Sequence, residues 1–73
     1  MSGPGEYFVN KKPQENGEHE IHNGSDPCRC FPAPENLVSL GQCIDCHKAV
    51  AIARRYYSKV DGCKYCALAC HKG

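Results

Sequence analysis

The chain has 73 residues with seven cysteines, four tyrosines, two phenylalanines and no tryptophan. A single small domain (1–73) is all this length allows, and such a chain buries only about 60% of the surface that it exposes when unfolded. No apolar run reaches membrane-spanning length, which excludes a transmembrane helix, and the formal net charge is +1.

A core this thin needs help from disulfides, a metal or a second chain, and the cysteine count points to sulfur. The opening Met1-Ser2-Gly3-Pro4-Gly5-Glu6 is polar and Gly/Pro-rich, unlike the apolar region of a secretory leader. The expectation is therefore a cytoplasmic chain with reduced thiols, and an odd number of cysteines fits disulfides poorly. Residues 1–5 are expected to be disordered. Charge is divided along the chain: residues 1–42 hold three basic and six acidic side chains, residues 43–73 six basic and two acidic. The cysteine-rich half is the basic half.

Tyr7-Phe8-Val9 has the aromatic and β-branched content of a strand. Asn16-Gly17 supplies a hairpin turn, and Glu18 to His22 returns as a second strand, so residues 6–22 are predicted to form a hairpin. Residues 23–38, with Asn23-Gly24, Pro27, Pro32 and Pro34, are predicted to form a loop that carries Cys28 and Cys30. Ser39 followed three residues later by Gln42 matches a capping box. Cys43, Cys46, Val50, Ala53 and Tyr57 then recur at steps of three and four, predicting one amphipathic helix over 39–58. Residues 63–71 form a cysteine-rich knuckle. The architecture predicted is α+β.

Cys43-x2-Cys46, sixteen residues, then Cys63-x2-Cys66 falls inside the spacing of a four-cysteine zinc site. A two-residue gap lets both sulfurs of a pair reach one ion at about 2.3 Å, and two pairs complete a tetrahedron. Further candidate ligands are Cys28, Cys30, Cys70, His71 and His22. A competing arrangement uses Cys63, Cys66 and Cys70 with Cys30 or Cys46. His19 and His47 read as ordinary exposed histidines. Cys43-Ile44-Asp45-Cys46-His47 also matches the c-type haem attachment pattern. No βαβ setting for a thioredoxin-like motif is visible. Nor is any catalytic constellation, and no glutamate stands near the cysteine pairs as a general base, so an enzyme is not expected.

The run Tyr7 to His22, which reads Tyr-Phe-Val-Asn-Lys-Lys-Pro-Gln-Glu-Asn-Gly-Glu-His-Glu-Ile-His, resembles the opening of a family of small uncharacterised bacterial proteins. Leu40-Gly41, Cys46-His47-Lys48-Ala49-Val50 through Tyr57, and Gly62-Cys63-Lys64-Tyr65-Cys66 to Cys70-His71 look like the same family. The resemblance covers most of the chain and implies no activity. It implies a shared ligand set of His22, Cys30, Cys46, Cys63, Cys66, Cys70 and His71, with Cys43 and the second loop cysteine peculiar to this chain.

The function these residues predict is a zinc-binding structural or protein-interaction module. One alternative is a zinc-dependent nucleic-acid-binding module using Arg54, Arg55, Lys59 and Lys64 beside Tyr56, Tyr57 and Tyr65, since cations with stacking rings suit phosphates and bases. Another is a redox or electron-transfer protein, based on thiols or on haem.

Overall fold

Alternation builds the first strand of the computed structural model, which describes residues 2–25 and 31–72. In β1 (Gly5–Asn10) Tyr7 and Val9 are fully buried while the residues between them are only partly covered, because successive side chains of a strand face opposite ways. The chain turns at Asn16-Gly17, where Gly17 takes φ +86° and its N–H donates to the Gln14 carbonyl at 2.8 Å. It returns as β2 (His19–Asn23), antiparallel to β1 with Phe8 opposite His22 and Val9 opposite Ile21. The predicted hairpin is present.

The other edge of β1 decides the next element. Leu37–Cys43 lies along it as antiparallel strand β3, after a single 3-10 turn at Pro34–Asn36. Ser39 is therefore a strand residue whose hydroxyl donates to the Glu6 carboxylate across the sheet at 2.8 Å, and it caps no helix. Gly41 adopts φ +82° on the strand beside a register shift between Tyr7 and Phe8, a backbone conformation that an ordinary side chain resists. Tertiary pairing has overridden the local capping signal.

The helix is shorter than the predicted 39–58. It is α1, Cys46–Ala53, and its N-cap is Asp45, whose carboxylate accepts from the Lys48 N–H at 3.1 Å. Turns at Tyr56 and Tyr57 close on the Ala53 carbonyl, and Val60–Gly62 then enters the sheet as β4, parallel to β2. The sheet order is β3-β1-β2-β4. Ala49 and Ala53 of α1 pack with Tyr7, Val9, Ile21, Leu40 and Val60 in one core, so the helix covers one face of the sheet. The α+β expectation holds in this form: among the described residues, one four-stranded sheet and one α-helix. The polar opening is held too, with Ser2 accepting from the Cys46 N–H at 3.1 Å and Gly3 from the Tyr7 hydroxyl at 2.6 Å.

Candidate metal centre

Parallel pairing of β4 with β2 sets the knuckle in place. Ile21 stands opposite Gly62, and the ladder runs one bond further, with the Cys63 N–H donating to the Ile21 carbonyl at 2.8 Å. Cys63 is thereby delivered next to His22. The chain then folds back on itself: the Ala67 N–H reaches the Cys63 carbonyl at 3.0 Å and the Tyr65 N–H points at the Cys63 sulfur at 3.4 Å. The turn places Cys66 Sγ 3.5 Å from His22 Nδ1.

His22, Cys63 and Cys66 are all buried, and one donor atom from each lies within 4.8 Å of the other two. His22 is buried on the sheet face opposite the helix, where the Phe31 ring meets it edge-on at 5.5 Å and also meets Phe8 at 6.0 Å. Among the described residues its second nitrogen, Nε2, makes no formed hydrogen bond, but Glu20 Oε1 stands 3.3 Å away. A metal-binding histidine characteristically turns its far nitrogen to a carboxylate, which fixes the ring and its tautomer. Glu20 is placed to do this.

Electrostatics explain why such a group suits an ion. Burial lowers the His22 imidazole to about 4, so it is neutral at neutral pH and one ring nitrogen has its lone pair available. Burial pushes the Cys66 thiol up to about 11, Cys63 adds to the effect, and a backbone hydrogen bond from Asn23 opposes it. Burial also raises Glu20, with Asp61 reinforcing the shift. A cation entering this pocket would find donors whose charges are unfavourable without it, so metal and thiolate stabilise each other.

The four cysteines that the spacing grouped do not form one cluster. Cys63 and Cys66 join His22, whereas Cys46 falls with His47 and Cys70 in a second group of three. Cys43 belongs to neither group. It ends β3, buried, with its thiol 3.6 Å from the Gly41 carbonyl and 3.9 Å from that of Leu40, and burial raises its pKa. Cys28 and Cys30 lie outside the described residues. His71 is in neither group: its Nδ1 lies 3.0 Å from the Gly62 carbonyl and 3.4 Å from the Asp61 carboxylate. Asp61, itself buried, also accepts from the Lys72 N–H at 2.7 Å, so it anchors the tail. Of the two histidines taken as ordinary, His19 stacks on Tyr57 at 3.7 Å and engages the Asn10 carbonyl at 2.9 Å. His47 is exposed, with Nδ1 3.5 Å from the Cys70 sulfur.

Cys46 and Cys70 form a disulfide, against the expectation that the thiols would all be reduced. The 3-10 turn Leu68–Cys70 brings Cys70 back onto the first turn of α1. The pair stands 24 positions apart, and no local spacing announces it. With the Cys46 sulfur bonded and Cys43 buried in the strand, the haem attachment pattern has no free pair of sulfurs. The cations proposed for nucleic acid, Arg54, Arg55, Lys59 and Lys64, are exposed, as are the Tyr56 and Tyr65 rings.

No helix among the described residues is long and apolar enough to cross a membrane. A scan against protein-family models, a search of curated proteins and a search of solved structures each give no match. The site must be read from its own chemistry.

Proposed function

We propose that this protein is a zinc-binding structural module, in which His22 Nδ1, Cys63 Sγ and Cys66 Sγ hold the ion and the metal locks the C-terminal knuckle to the sheet. The observation that carries the reading is the convergence of three buried donors from distant parts of the chain, one from β2 and two from the turn after β4, within 4.8 Å. Mixed imidazole and thiolate donors suit zinc over hard cations such as calcium or magnesium. The metal would serve the fold, and the folded module would bind another protein. Ile44 and Leu68, large apolar side chains that remain 75% and 61% exposed, support an interaction role.

A second reading has one specific observation in its favour. Tyr56 and Tyr65 project into solvent, and the Lys64 ammonium lies 5.8 Å from the Tyr65 ring centre, which is a pairing of charge and ring suited to single-stranded nucleic acid.

Native mass spectrometry of the protein after addition of zinc sulfate tests the first reading. Wild type should retain one ion at this site, and the His22→Ala and Cys63→Ser/Cys66→Ser variants should not. Retention by both variants would end it. Titration with a single-stranded oligonucleotide at low and high salt tests the second, which requires binding that weakens as salt rises.

A further inference from the structure

The Cys46–Cys70 disulfide sits beside a third donor. His47 Nδ1 is 3.5 Å from the Cys70 sulfur, and Cys46 Sγ, His47 Nδ1 and Cys70 Sγ lie within 4.8 Å of one another. These three belong to α1 and the last 3-10 turn, and none of them takes part in the His22 site. We propose that Cys46, His47 and Cys70 form a second zinc site that exists only when their disulfide is reduced, so that the metal content of the protein follows its redox state.

Disulfide and metal compete for the same two sulfur atoms. A sulfur bonded to sulfur is a poor ligand for zinc, which binds thiolate. Reduction converts the same two atoms, already held at one locus by α1 and the turn, into two thiolates with an imidazole beside them. Two sulfurs and a nitrogen leave a fourth tetrahedral position for water or an added ligand.

Access favours this chemistry. An open groove of about 410 Å³ is lined by His47, Cys70, Arg54, His71 and Lys72, with Val50 among its apolar walls. Cys70 faces the groove while Cys46 is fully buried, so a dithiol reductant would attack Cys70. Its thiolate, drawn by Arg54 and Lys72, forms a bond to Cys70 Sγ as the Cys46–Cys70 bond breaks and the electron pair leaves on Cys46. Cys46 is the first residue of α1, at the positive end of the helix dipole, which favours an anion there. The second thiol of the reductant then displaces Cys70, and the reductant departs as a cyclic disulfide. Two electrons have passed to the protein, and the two protons of the dithiol are released when zinc takes both thiolates. The zinc is held by Cys46, Cys70 and His47.

The test compares zinc stoichiometry before and after reduction. Protein purified without reductant, and the same protein reduced with dithiothreitol and desalted without oxygen, are each given zinc sulfate and weighed by native mass spectrometry. Wild type should hold one more zinc when reduced than when oxidised. His47→Ala leaves the disulfide and its buried surroundings in place, and its count should not rise on reduction. An unchanged count in wild type, or an equal rise in His47→Ala, overturns the proposal. The His22 site is read separately, as the zinc held by the oxidised protein. A count that goes from zero to one with the same His47 dependence would remove that reading and keep this one.

Discussion

His22 is the residue on which most of the chemistry turns. It occupies a strand position, opposite Phe8, where an apolar side chain would bury more comfortably, and among the described residues a carboxylate at 3.3 Å faces its outer nitrogen. If Glu20 orients the ring for a metal, Glu20→Gln should weaken zinc binding roughly 10- to 100-fold while leaving all three donors in place. Competition with a chromophoric chelator measures this, and an unchanged affinity would make Glu20 a bystander. The metal-free protein should also carry a signature of this histidine in its pH dependence. The folded imidazole is held at about 4 against an ordinary value of about 6.5. Between those values the unfolded chain binds the extra proton, so stability is full above about pH 6.5 and declines as the pH falls towards 4. Urea denaturation of the chelated protein across this range should show the decline, and His22→Asn should flatten it.

Each element places a donor through a contact of its own. The tail reaches the sheet by packing closely over Gly62: a Cβ there would meet the Ala67 carbonyl oxygen at 2.6 Å and the Cys70 Cβ at 2.7 Å. Backbone cannot yield as a flexible side chain can, so Gly62→Ala should push the knuckle away from β2. The expected cost is about 1–3 kcal/mol, read from denaturant melts, with zinc affinity falling in parallel because Cys63 and Cys66 move with the displaced turn. Loss of stability without loss of affinity would mean that the knuckle does not depend on this packing. The sequence made some elements legible and hid others for identifiable reasons. The Tyr7-Phe8-Val9 alternation and the Asn16-Gly17 turn are local signals, and the hairpin they predict is there. Ser39 and Gln42 carried an equally local signal for a helix, yet the open edge of β1 takes Leu37–Cys43 as a strand. Val60-Asp61-Gly62 is only three residues long, too short for periodicity to reveal, and its pairing with β2 is parallel and remote.

For the whole molecule, the question is how much of the fold rests on sulfur and metal. The core contains few large apolar side chains, and Cys43, Cys46, Cys63 and Cys66 are themselves part of it. Adding a chelator to the zinc-loaded protein should therefore lower its melting temperature, and chelator with reductant should lower it further, since the disulfide closes a long loop. Circular dichroism melts in the four combinations check this. A melting temperature indifferent to both would show that side-chain packing alone suffices.

Read by itself, the sequence determined that a 73-residue chain so poor in large apolar residues calls for a cysteine-based staple, that its fold mixes strand and helix, and that Cys63-x2-Cys66 has the spacing of a metal-ligand pair. Those conclusions depend on composition and on neighbours within a few residues, which the order of the chain states directly. It could not state which sulfurs and rings meet across the fold. That Cys63 and Cys66 find His22, that Cys46 finds Cys70, and that Cys43 stands apart were decided by the parallel pairing of β4 with β2 and the return of the tail onto α1. Such contacts join residues 24 or more positions apart, and only the packed sheet and helix bring them within bonding distance.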